Sequence, residues 1–210
     1  MIHLVVAPIV EGEGDERAIP KLLHRIVEEF CPDTFVTFIP GKVLPASKIV
    51  KPDDECLQEA VQLAARKLAQ RREPSIRRLI LILIDADGQC AAQLGPELKR
   101  RANTYASHVE IATVIAVDEY ETWFVAAAES LTEFIVVNEQ EVPSDPENRG
   151  SKKKWIEDRF RGVKYKETVD QPKFSATMDL KLCRSRSPSF DKLCREIERM
   201  AIPGDAVAVT

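Results

Sequence analysis

Leu79-Ile80-Leu81-Ile82-Leu83-Ile84-Asp85-Ala86-Asp87-Gly88 reads as an aliphatic strand that stops on two carboxylates and a glycine. An aliphatic run without polar alternation is a strand covered on both faces, the situation of parallel strands in α/β sheets. Toward the amino terminus the same pattern recurs: Leu4 to Val10 is apolar and is followed by Glu11-Gly12-Glu13-Gly14-Asp15-Glu16. Toward the carboxyl terminus, Ile111 to Val117 leads into Asp118-Glu119-Tyr120-Glu121. Strands that lie parallel in one sheet bring all three acidic clusters to its carboxyl edge, where open α/β sheets place their ligands.

The segments between these strands carry helical spacing. Gly14-Asp15 opens a helix to about Phe30, with Ala18, Ile19, Leu22, Leu23, Ile26 and Val27 on one face. Thr34 to Ile39 is a second strand, and Gly41 to Pro52 a loop. Asp53 or Asp54 caps a helix reaching about Arg72. A weaker helix over Gln89 to Ala106 is interrupted near Gly95-Pro96, and another begins at Glu121 and runs to Ser130. Such alternation predicts an α/β fold: a Rossmann-like, mainly parallel four-stranded sheet flanked by helices, with right-handed crossovers. The core is expected over residues 1–137 and a helical extension packed on it over 138–210, after the polar loop Ser144 to Gly150. Its helices are expected at Lys152 to Phe160, Gln171 to Leu182 and Pro188 to Met200, with Ser187 as the cap before Pro188.

Composition narrows the function. The 210 residues can bury a sizeable core, and 30% charged residues with no long apolar run argue against a bilayer span. Met1-Ile2-His3-Leu4 lacks a basic leader, so a cytoplasmic location is expected. Five scattered cysteines without a Cys-x-x-Cys pair suit a reducing compartment and disfavour zinc. The net charge of −4 does not point to a general nucleic-acid binder, but the window from Arg149 to Lys166 holds eight basic residues against two acidic ones. Within it, Lys152, Lys153, Lys154, Arg159 and Arg161 are candidates for holding a nucleic-acid backbone, as opposed to a solvated helix face. Arg184 and Arg186 are further candidates at a helix amino end, where a plain cap is the simpler account.

Clustered carboxylates repel unless a cation or proton intervenes. Asp85 and Asp87, two apart, point to one side of an extended backbone, which suits one ion held directly by one and through water by the other. An Asp-Gly turn is the bland alternative. Glu11, presented on a tight loop between a strand and two glycines, is a site candidate; Asp15 is a lesser one, and Glu16 complements the following helix dipole. Glu119 and Glu121 are either metal ligands or first-turn acids of a helix whose Trp123 and Phe124 pack inward.

Glu11-Gly12 after one strand and Asp85-Ala86-Asp87 after another resemble the Toprim domain of topoisomerases, primases, recombination proteins and overcoming-lysogenization-defect (OLD) nucleases. The whole chain is more similar to a bacterial Toprim-like family catalogued as domain of unknown function 4276. The resemblance is carried by Val10 to Glu16, Ile84 to Gly88, Glu119 to Phe124, Lys153-Lys154-Trp155, Asp170-Gln171 and Arg186 to Phe190. It implies Glu11 as the Toprim glutamate, Asp85 and Asp87 as Mg²⁺ ligands, and association with an ATPase encoded nearby, as in anti-phage systems. It assigns no chemistry to Asp170, Gln171 or Asp179. Gly88 follows Asp87 directly and Gln89 is not acidic, a departure from many Toprim motifs. The topoisomerase domains and primase zinc module are lacking, so a nuclease is the expected activity within that fold.

The chain is therefore expected to be a Mg²⁺- or Mn²⁺-dependent phosphodiesterase on DNA or RNA, with Glu11, Asp85 and Asp87 catalytic. The metal set is Glu11, Asp15, Asp85, Asp87, Glu119 and Glu121. Self-association is a further expectation. One rival is a haloacid-dehalogenase-like phosphatase with Asp85 as nucleophile, although Gln89 replaces that family's threonine. Another is a non-catalytic partner of an ATPase.

Overall fold

A computed structural model describes residues 1–51, 54–73, 75–148 and 150–202. Asp53, one of the two expected caps, Arg149, the first residue of the basic window, and the last eight residues of the extension lie outside the described residues. The first half of the chain runs β1 (Ile2–Val10), α1 (Glu13–Phe30), β2 (Thr34–Phe38), β3 (Lys42–Val43), α2 (Ala46–Ile49), α3 (Glu55–Ala69), β4 (Ile76–Asp85), α4 (Ala91–Tyr105) and β5 (Glu110–Ala116). The sheet is parallel throughout, in the order β2-β1-β4-β5, with β3 alongside the carboxyl end of β1.

The sheet thus has five strands where four were expected. The fifth is the two-residue β3, taken from the stretch 41–52 read as loop, and Leu44 N–H continues it by donating to Val10 O at 2.9 Å. Two residues are too few for periodicity to register. Helix α4 likewise runs through Gly95-Pro96 without a break. It packs on β5 there, and the Thr113 hydroxyl donates to the Gly95 carbonyl at 2.8 Å.

Alternation along the strands separates two apolar layers. Leu4, Val6, Leu79, Leu81 and Leu83 face α1, while Val5, Ala7, Ile80, Ile82 and Ile84 face α3 and α4. Both faces are covered, which explains strands that read as unbroken aliphatic runs.

The second half continues through α5 (Glu121–Ala126), a 3-10 turn at Ala128–Leu131, α6 (Lys152–Glu157), α7 (Glu167–Thr177), α8 (Leu180–Arg186) and α9 (Pro188–Ala201). The helix expected over Gln171 to Leu182 is divided in two: Met178 is extended, and the Asp179 carboxylate accepts Leu182 N–H to start α8. Ser187 caps α9 by accepting Phe190 N–H. Helix α7 lies along α1, and α9 crosses β5 and α1, so these helices share one hydrophobic cluster with the sheet. Trp123, Phe124, Phe174 and Phe190 fill that cluster, and Trp123 Nε1–H donates to Ser189 Oγ. Among the described residues no helix is long and apolar enough to cross a membrane.

Candidate functional site

From β1 the chain winds outward to β2, then returns past β1 to β4 on the other side. The carboxyl ends of β1 and β4 therefore flank the topological switch point, where a crevice opens above the sheet. Glu11 follows β1 and Asp85 ends β4. The two meet there, with Asp85 N–H donating to Glu11 Oε2 at 3.3 Å. Odd-numbered positions of β4 face α1, which turns Asp85 toward Asp15 in the first turn of that helix. Asp15 is 9% exposed and accepts Gly12 N–H at 2.9 Å. Glu121 comes to the same region from α5; it is buried and accepts from Tyr165 O–H at 2.9 Å and Gln171 Nε2 at 3.2 Å.

All four acids bind protons more tightly than ordinary carboxylates, with burial the largest cause. Nearby like charges add to it: Asp87 and Glu167 at Glu11, and Glu167 at Glu121. Burial, followed by the charges of Glu121, Glu11 and Glu167, pushes Asp15 up to about 7 against the Gly12 hydrogen bond. Asp85 is raised well above the ordinary carboxylate range by burial, then by Asp15, Glu121, Glu11 and Asp87. Glu11 is raised by burial, opposed by the backbone N–H groups of Asp85 and Ala46. Glu121 is raised by burial, opposed by Tyr165. Four carboxylates from three distant segments thus form one electrostatic unit.

Asp87 lies at the outer side of this unit, exposed, with φ 47° in the left-handed region. It lines a polar cleft of about 250 Å³ with Gly88, Asp118, Glu119, Gly150 and Ser151. Asp118 is also left-handed, φ 61°, and its Oδ2 has no hydrogen-bond partner among the described residues, with Lys152 Nζ 3.8 Å away. Glu119 is engaged structurally: it accepts Ser151 Oγ at 3.0 Å and Lys153 N–H at 2.7 Å, anchoring the amino end of α6.

The expected basic contacts divide in the same way. Lys152 is buried and donates to the carbonyls of Asn148 and Gly150. Lys153 pairs with Glu167 beside the acidic unit, and Lys154 pairs with Asp158. Arg159 stacks over Trp155 and pairs with Glu141. Arg184 is held by Glu198 and Asp191 over Phe30, and Arg186 by Glu129. Among the described residues the Arg161 side chain donates only to the carbonyls of Thr132 and Ile135. Exposed Lys164 and Lys166 have no ion-pair partner among the described residues. Within the described part of the basic window, the residues whose charge is not paired with a carboxylate are thus Arg161, Lys164 and Lys166.

Three contributors escaped sequence reading. Tyr165, Glu167 and Gln171 reach the site only because α7 lies against α1, with Gly14 at the contact: a Cβ there would stand 2.0 Å from Gln171 Oε1. Asp170-Gln171 belonged to the family pattern, which signals importance without a role. In the structure Asp170 accepts Lys166 N–H at the start of α7, and Gln171 props Glu121.

The donor chemistry suits a hard divalent cation. The unit offers only carboxylate oxygens, and no described side chain donates to the carboxylates of Asp85 or Asp87. As placed, no three acidic, histidine or cysteine side chains among the described residues form a ready ligand set. One or two carboxylates with water completing the shell is the arrangement that fits Mg²⁺.

A family model matches residues 10–198, from the end of β1 into α9. The chain belongs to this family, described as domain of unknown function DUF4276. The DUF4276 match embraces all three acidic clusters, the basic stretch and the helices that close over Glu121. No curated protein and no solved structure matches the chain.

Proposed function

We propose that this DUF4276 chain is a Mg²⁺- or Mn²⁺-dependent phosphodiesterase acting on nucleic acid. The observation that carries the proposal is the buried acidic unit at the switch point, in which Glu11, Asp15, Asp85 and Glu121 all bind protons more tightly than ordinary carboxylates. Such a concentration of like charge has a function when a divalent cation takes the place of the protons. Asp85 and Asp87 would hold the ion, with Glu11 and Asp15 beside it. A bound cation of this kind neutralises phosphate and polarises an attacking water.

The chain's own residues have distinct tasks. Glu11, partly exposed and hydrogen-bonded to Asp85 N–H, takes or returns the proton. Glu121, clamped by Tyr165 and Gln171, keeps the inner wall of the unit in place. Arg161, Lys164 and Lys166 hold the phosphate backbone, because their charge is not spent on carboxylates. The motif resemblance to Toprim domains supports the same reading and adds an ATPase partner in an anti-phage setting.

The test is incubation of single- and double-stranded DNA and RNA with the purified chain, with Mg²⁺, Mn²⁺ or chelator. Metal-dependent cleavage is expected, with Asp85→Asn and Asp87→Asn inactive. Glu11→Gln should be slowed by about 10²–10⁴-fold. Absence of cleavage by the wild type, alone and with a partner ATPase, would move the protein to a regulatory role. A phosphate analogue trapped covalently on Asp85 would instead make it a phosphatase.

A further inference from the structure

Strand β2 forms one edge of the sheet. Ile39 N–H donates to Val6 O, and Asp33 O accepts Ile2 N–H, so odd-numbered residues of this segment turn their backbone toward β1. The alternation points the N–H and C=O groups of Val36 and Phe38 away from the sheet. Thr34 N–H is turned back to Cys31 O, which leaves its carbonyl outward. Among the described residues no backbone group pairs with this outer row.

Edge strands are ordinarily guarded by charge, proline, a bulge or a covering element. Thr34-Phe35-Val36-Thr37-Phe38 has neither charge nor proline, and it keeps regular register with β1 throughout. Pro40 and Lys42 come only after it. Phe35 is 43% exposed, its ring stacked on His3 at 4.2 Å. At the opposite edge, β5 runs between α4 and α9, which line one cleft with Ile115 and Val117.

We propose that β2 pairs antiparallel with β2 of a second copy of this chain, about a two-fold axis at Val36. The row is self-complementary in that register. Val36 N–H and C=O bond reciprocally to Val36 of the second copy, and Phe38 N–H meets the outward Thr34 carbonyl on either side. Phe35 then faces Thr37 across the seam, an aromatic–β-branched pair of the kind that stabilises neighbouring strands. The two sheets join into one. Because the paired strands run oppositely, the carboxyl edges that carry the acidic units face opposite ways.

Sedimentation velocity of the full chain over a wide range of concentration tests this, together with amide hydrogen exchange. The wild type should shift from monomer to dimer as concentration rises, and the Val36 and Phe38 amides should gain protection in step. Phe35→Lys, at a half-exposed position and checked for folding by circular dichroism, should remain monomeric throughout. A wild type that stays monomeric overturns the proposal. So does a dimer that Phe35→Lys leaves unchanged, or one in which the Val36 and Phe38 amides gain no protection.

Discussion

Asp15 stands in the first turn of α1, where the helix dipole favours a negative charge, yet its pKa is pushed up to about 7. Desolvation and three neighbouring carboxylates outweigh a terminal dipole that is effective mainly at exposed sites. The group therefore binds a proton more tightly in the folded chain than in the unfolded one. Its stabilising contribution is full below the ordinary carboxyl value of 3.8 and is lost as pH rises toward about 7. Asn at this position still accepts Gly12 N–H but carries no charge. With chelator at pH 8, Asp15→Asn should melt several degrees higher than wild type, at roughly 2–4 °C per kcal/mol, and its melting temperature should vary less between pH 4 and 8. A variant that melts at or below the wild type at pH 8 would show that repulsion at Asp15 is already relieved.

At the scale of elements, the contact between α1 and α7 decides who joins the site. A Cβ on Gly14 would stand 2.0 Å from Gln171 Oε1 and 3.0 Å from Glu167 Cβ. Gln171 is 3% exposed and holds Glu121, so it yields only by releasing that bond. Gly14→Ala should therefore cost about 1–3 kcal/mol, the usual range for overpacking. Gly12→Ala is the control, because its Cβ would meet nothing nearer than 3.4 Å and its φ of −124° suits any residue. Urea denaturation of both variants measures the difference. Equal midpoints would mean that α7 moves aside freely.

At the scale of the whole molecule, the acidic unit joins β1, α1, β4 and α5, with α7 closing over it. An ion that relieves its repulsion therefore stabilises the entire fold. Mg²⁺ or Mn²⁺ should raise the melting temperature of the wild type. Asp85→Asn should raise the metal-free melting temperature by removing one of the repelling charges, and should abolish the metal increment. The two effects separate site chemistry from simple loss of stability. Equal metal shifts in both proteins would place the ion elsewhere. Nucleic-acid binding draws on the same large-scale charge pattern: alanine at Arg161, Lys164 and Lys166 should flatten its salt dependence, whereas Lys152→Ala should act mainly by unfolding a buried contact. Salt titrations of the folded variants distinguish these outcomes.

The amino-acid sequence by itself determined the α/β class and the positions of its long strands. Aliphatic runs such as Leu79 to Ile84 and helical spacing such as Ala18 to Val27 encode burial locally. It also placed Glu11, Asp15, Asp85 and Asp87 at strand ends or first turns, since loop chemistry follows its strand. The short strand β3 and the break before α8 were hidden, because two-residue pairing and a cap at Asp179 leave no periodic trace. Only the tertiary structure brought Tyr165, Glu167 and Gln171 against the sheet edge, and only it withdrew Lys152, Arg184 and Arg186 into internal contacts. The reason is distance along the chain. A charge's neighbours are set by how helices cross, and the approach of α7 to α1 at Gly14 joins residues about 150 positions apart.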